Sequence, residues 1–153
     1  MFKKIFGFLG FAVLLFSSCN SNGCYDEMDV RLYCGFYRLS DSTAVFIDSI
    51  SVWGVGSDSL VYNKMNLNEL ALELNPNTQE TQYVIQVKQS GNTFIDTLSL
   101  FHTNQPWFQS MECGCMVFST LDSCKTTGSI FQSASILDSK IINHKTEHVL
   151  LNL

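Results

Sequence analysis

Basic residues are scarce in this chain. Nine Lys and Arg stand against fourteen Asp and Glu, for a formal net charge of −5. That deficit excludes an electrostatic nucleic-acid binder, which needs a basic face to meet phosphates. Proline is scarcer still, at two residues, so no Pro-rich linker marks a boundary between domains. Catalytic and phosphate-cradling signatures are missing as well. There is no P-loop, no Gly-rich dinucleotide fingerprint, no internal repeat and no Gly-x-Ser-x-Gly elbow. A Cys-x-x-Cys before a helix, the mark of a thioredoxin-like redox site, is also absent. Asp26-Glu27 and Asp138 have no carboxylate partner at a spacing that acid–base work would use. These absences point to a non-enzymatic protein that needs no cofactor.

Long apolar runs are lacking too. The longest, Ile5 to Phe16, covers twelve residues, whereas a membrane-spanning helix needs about 20. Lys3 and Lys4 precede it, and Phe16-Ser17-Ser18-Cys19 closes it. A short positive region, an apolar core and small residues form the order of a secretory signal. Small residues directly before a cysteine resemble the lipobox of bacterial lipoproteins. That resemblance implies cleavage after Ser18 and a diacylglycerol on the thiol of Cys19. A permanent anchor needs more than one acyl chain, and a lipoprotein cysteine of this class typically carries three. The expected division is 1–18 signal peptide, 19–27 lipidated N-terminus and tether, and 28–153 a single domain large enough for its own core. The expected location is the outer membrane, lipid-anchored and facing the periplasm.

Past the tether, short segments alternate with turns. Val30, Leu32, Cys34 and Phe36 alternate with Arg31, Tyr33, Gly35 and Tyr37, a period-two pattern with one strongly apolar face. Further strands are expected over 46–53, 60–62, 70–74, 81–88, 93–101, 107–120 and 129–142, and from Val149 to the C-terminus. Ser90-Gly91-Asn92 reads as a hairpin turn, and Gln105-Pro106 as a loop. Many short strands and no convincing long helix predict an all-β, immunoglobulin-like antiparallel sandwich of about seven to eight strands. The closing strand would be tied into a sheet.

One stretch resembles a known family. His102-Thr103-Asn104-Gln105-Pro106-Trp107-Phe108, followed by Glu112-Cys113-Gly114-Cys115, is similar to short lipoproteins of the Bacteroidota that share a domain of unknown function. Cys24, Gly35-Phe36-Tyr37, Asp96-Thr97-Leu98 and the segment from His148 to Leu153 fit the same order. The resemblance implies an envelope location and a sandwich, and no activity. It also suggests Cys24 as the partner of Cys113 or Cys115. Cys34 and Cys124 are extra to the family pattern.

Six cysteines are present. With Cys19 lipidated, Cys24, Cys34, Cys113, Cys115 and Cys124 remain as disulfide candidates, enough for two bridges and one free thiol. Cys113 and Cys115, two apart on a strand, would have Cα atoms nearly 7 Å apart, at the limit for bonding to each other. At least one therefore pairs with a distant cysteine. The rival reading is a thiol/His metal site built from Cys113, Cys115, His102, His144 and His148, because zinc favours such ligands. None of their spacings is typical of zinc proteins, and His144 and His148 read as solvated. Trp107 and Phe108, beside Pro106, are the candidate for an exposed binding patch. The expected partners are the membrane, through the anchor, and an envelope protein, with no nucleic acid.

Overall fold

The computed structural model describes residues 29–89, 91–111 and 113–153. The expected signal peptide, Cys19 and Cys24 lie outside the described residues. Among these residues there are ten strands and no helix. In chain order they are β1 (Leu32–Tyr37), β2 (Ile47–Gly54), β3 (Leu60–Leu67), β4 (Glu69–Leu72), β5 (Glu80–Gln89), β6 (Asn92–Ser110), β7 (Gly114–Thr126), β8 (Ser133–Ile136), β9 (Lys140–Ile141) and β10 (Val149–Asn152). One sheet has the order β4-β1-β10-β8, the other β3-β2-β5-β6-β7-β9.

The two sheets share a single hydrophobic core, so the fold is a β-sandwich, with more strands than the seven to eight expected. Alternation drives the packing. Leu32, Cys34 and Phe36 of β1 face inward and are fully buried, as are Val149 and Leu151 of β10. Tyr83, Ile85 and Val87 of β5 and Leu98 and Leu100 of β6 meet them from the other sheet. Phe36 stacks on Phe131 at 5.7 Å between ring centroids, filling the space between the layers.

The first and last strands pair in parallel, with Cys34 opposite Val149 and Phe36 opposite Leu151. Every other pairing between strands is antiparallel. The C-terminal strand thus lies in the middle of its sheet, between β1 and β8. His148 locks its entry. The ring Nδ1 accepts a hydrogen bond from the backbone N–H of Tyr33 (3.0 Å), and the His148 N–H donates to Tyr33 O (2.9 Å). An accepting Nδ1 places the proton on Nε2, which lies 3.2 Å from Lys140 O. The imidazole is held neutral and buried, and that burial lowers its pKa against weaker upward pulls from the Lys140 carbonyl and Asp138. The sequence reading of a solvated His148 is corrected here: the turn before β10 folds back onto β1.

Three boundaries differ from expectation. Gln105-Pro106 is no loop, because β6 runs through it to Ser110. Pairing with β5 ends at Phe101, opposite Glu80. Beyond that point one edge of β6 is open, and a residue without an N–H is tolerated. The expected strand over 107–120 is instead two arms of a hairpin, with residues 111–113 between them and Gly114 at φ 81° opening β7. The segment 129–142 splits into β8 and β9. In β7, Asp122 bulges out between the pairs Phe101–Ser123 and His102–Leu121. The extra residue lets Leu121 and Cys124, three apart, both turn toward the core.

Asp96 is the polar exception inside. It is 1% exposed, on the inward face of β6. Its carboxylate accepts N–H bonds from Ser129 (2.8 Å), Ile130 (2.7 Å) and Phe131 (2.8 Å), and an O–H bond from Thr127. Burial pushes its pKa up, but the Thr127 hydroxyl and the three backbone donors together outweigh this and hold it below the usual carboxylate range. These donors belong to the loop that carries the chain from β7 in one sheet to β8 in the other.

Both groups make the fold acid-sensitive, with signs that can be worked out. Asp96, with a depressed pKa, stabilises above the ordinary carboxylate range and loses that contribution as pH falls through its folded value. His148 is kept neutral, so its contribution is lost as pH falls below about 6.5, where the unfolded imidazole gains a proton. Asp96→Asn, which replaces one acceptor oxygen with a donor, is expected to cost about 2–3 kcal/mol in urea denaturation at pH 7. It should also flatten the lower acid limb, and an unchanged midpoint would refute this role for Asp96.

Candidate functional site

Beyond Phe101 the two arms of β6 and β7 continue as a ribbon that β5 no longer flanks. Its apolar residues face outward. Trp107 is 48% exposed, Phe108 58% and Met111 93%. Directly opposed residues share a face of a sheet. Trp107 therefore lies with Met116, and Phe108 with Cys115 on the reverse face. Trp107 stacks on Phe118 at 5.8 Å. Met116 is nearly buried there yet stands outside the central core. Met111 occupies the apex, and the Cys113 N–H donates to Ser110 Oγ (3.0 Å) across the turn. Large apolar side chains gathered at one exposed end make it the candidate interaction surface. Trp107 and Phe108 thus lie where the sequence suggested, while Met111 was overlooked because a continuous strand was expected there.

The base of this ribbon is fixed by a polar network. His102 is fully buried. Its Nδ1 lies 2.8 Å from Asn104 Oδ1, and its Nε2 2.8 Å from Thr81 Oγ1. Asn104 Nδ2 donates to the carbonyls of Asn75 (3.1 Å) and Thr78 (2.7 Å). Its Oδ1 must therefore accept, both from His102 Nδ1–H and from Ser119 Oγ–H (2.8 Å). The Thr81 hydroxyl also accepts from the Asn75 N–H (2.9 Å). The imidazole is bonded at both nitrogens and helps pin the ribbon to the 75–79 turn.

The cysteines divide into classes. Cys113 is disulfide-bonded. Cys34, Cys115 and Cys124 are free thiols, which corrects their reading as bridge candidates. The ladders explain this. Cys34 stands opposite Leu70 and Val149, Cys115 opposite Phe108, and Cys124 opposite Leu100, so no ladder sets two described cysteines side by side. Cys115 is exposed, Cys124 half-buried and Cys34 fully buried. Burial pushes the Cys34 thiol well up, helped by Cys124 and by Glu147 and Glu69; burial also raises Cys124. Cys113 and Cys115 do not follow each other along one strand, since Cys113 lies in the turn and Cys115 in β7.

Among the described residues, no group of three His, Cys, Asp or Glu side chains is placed to hold a metal ion. His102 and His148 spend their ring nitrogens on internal partners, and His144 is exposed on a separate loop.

A second polar cluster escaped sequence reasoning. On the outer face of the four-stranded sheet, the Tyr37 hydroxyl lies 3.0 and 2.9 Å from the two Glu147 oxygens. The bond to Glu147 is the main reason that the Tyr37 pKa is raised. Gly35 makes room for it, because a Cβ there would fall 1.7 Å from Glu147 Oε1. Lys145 bonds Glu69 (2.6 Å) and lies over the Tyr33 ring at 4.9 Å. The glycine inside an aromatic strand was the available signal, since such a residue often marks a close approach. Each charge here is paired locally, so the cluster ties the 145–147 loop to β1 and β4.

Fold and site together define an all-β sandwich that presents an apolar hairpin. Within that class, the chain belongs to the Family of unknown function (DUF6452), whose profile matches residues 49–153. The match covers β3 to β10 and most of β2, including the hairpin, and leaves β1 with Cys34 outside it. No curated protein and no solved structure matches the chain.

Thiol labelling of the native protein checks the division of cysteines. Iodoacetamide at pH 8 should modify Cys115 first and leave Cys34 untouched until denaturant is added. Peptide mapping that found Cys34 modified as fast as Cys115 would contradict its placement in the core.

Proposed function

We propose that this chain is a lipid-anchored cell-envelope lipoprotein, held by Cys19 in the outer membrane and facing the periplasm. Its sandwich acts as a non-catalytic interaction module. Support for the anchor comes from the order of Lys3-Lys4, the apolar run to Phe16 and the Ser17-Ser18-Cys19 site. One observation carries the non-catalytic part. The buried titratable groups Asp96, His102 and His148 are each committed to internal hydrogen bonds that hold loops and strands. The chemically adaptable surface is instead the apolar hairpin. An acid or base for catalysis needs an open position toward a substrate, and these three have none. The envelope partner of such a module would be a protein or the bilayer itself.

The intact mass of the protein from its own host's membranes tests this reading. The expected species lacks residues 1–18 and carries acyl chains on Cys19, without metal. A mass that retained residues 1–18 without acyl chains would overturn the anchor. A tightly held metal, lost on acidification, would overturn the non-catalytic, metal-free reading.

A further inference from the structure

We propose that the open side of the sandwich holds a binding cleft for a short zwitterionic peptide, its carboxylate on Arg31 and its ammonium on Glu73. This cleft is separate from the hairpin and depends neither on it nor on the anchor.

β3 and β4 are edge strands, one in each sheet. Between them lies a cleft of about 390 Å³, lined by Arg31, Val61, Tyr62, Ala71, Glu73 and Tyr83. That volume suits a small molecule. Tyr83 also borders a smaller hollow of about 290 Å³, which Glu80 and Gln82 help to line.

An open donor points to the ligand. Among the described residues, one buried side-chain polar atom lacks a hydrogen bond, and it is Arg31 Nε. Asp29 Oδ1 lies 2.7 Å away, an ionic contact that leaves this N–H without an aligned acceptor. A buried donor in that state calls for an acceptor, and the guanidinium fork matches a carboxylate.

Glu73 supplies the opposite charge. Leu32 stands opposite Leu72 in the ladder, so Arg31 and Glu73 are neighbours one step beyond that pair. They do not pair with each other, and among the described residues the Glu73 carboxylate makes no ion pair or hydrogen bond. A phosphate or sulfate would meet repulsion from Glu73 and from Glu80 nearby. A neutral sugar would leave both charges unused. A zwitterion uses both. Two extended residues span at most about 7 Å, which suits charges held at neighbouring positions.

The ends of the peptide are recognised, rather than its backbone. Tyr62 Oη accepts from the Ala71 N–H (3.0 Å) and donates to Ala71 O (3.1 Å). Tyr83 Oη donates to Glu73 O (2.5 Å). These bonds occupy the free edge of β4, so a ligand cannot add there as a further strand. The tyrosines serve as the walls of the cleft.

The test titrates L-alanyl-L-alanine into the full-length protein, extracted from its host's membranes in detergent, by isothermal titration calorimetry at low salt. The expected Kd is on the order of 0.1–1 mM. Acetylating the amine of the probe, or amidating its carboxylate, should each weaken binding at least about tenfold. Arg31→Gln should bind the dipeptide and its amide equally, and Glu73→Gln should bind the dipeptide and its acetyl form equally. No binding at about 10 mM, or capped probes that bind as well as the parent, overturns the proposal without recourse to any variant. L-Alanine binding as tightly as the dipeptide overturns the peptide assignment in favour of a free amino acid.

Discussion

A single buried carboxylate decides how the two sheets are joined. Asp96 stands among apolar neighbours on β6, where an uncompensated charge would be far too costly. It is compensated by donors from a loop more than thirty residues later in the chain. That loop is the crossover from the six-stranded to the four-stranded sheet. Fixing Ile130 and Phe131 there places Phe131 against Phe36, and so sets the inner strand of the opposite layer. β8 follows, and β8 is the antiparallel neighbour of β10. The closing strand thus depends, through β8, on a hydrogen-bonded charge in the other sheet. An apolar residue at position 96 would pack, but it would leave three backbone N–H groups without acceptors, a penalty that compounds across one loop.

The same logic runs through His102 and His148. Each imidazole has its ring nitrogens bound inside the protein, and each fastens a turn to the middle of a strand. The protein uses its buried polar groups as rivets. What remains for recognition is surface, and the surface is uneven. The outer face of the four-stranded sheet is polar and internally paired, from Tyr37–Glu147 to Lys145–Glu69. The end of the hairpin instead exposes Trp107, Phe108 and Met111.

Much of the fold was legible because period-two alternation is a local signal. β1, β2, β5 and β10 show it plainly, and the sandwich follows from their number and the absence of helix. The misread places are those where a distant partner overrides the local pattern. Pro106 resembles a loop residue until it is known that β5 stops short. Met111 to Cys115 reads as one strand, because alternating Met and Cys give no hint that Gly114 turns the chain. His148 looks solvated, since nothing near it in sequence reveals that β1 will supply a donor. Of the site, Trp107 and Phe108 were visible as aromatics beside a proline. The division of the cysteines was not, because pairing depends on strand register. Glu147 over Gly35 joins residues more than a hundred positions apart.

Native-state hydrogen exchange on the full-length protein measures the dependence on Asp96 most directly. If its carboxylate holds the crossover, the amides of Ile130 and Phe131 should exchange only through global unfolding, as slowly as those of β1 and β10. Exchange of these two amides orders of magnitude faster than the strands, at a pH where Asp96 is ionised, would show that the loop opens freely. The join between the sheets would then have to lie elsewhere.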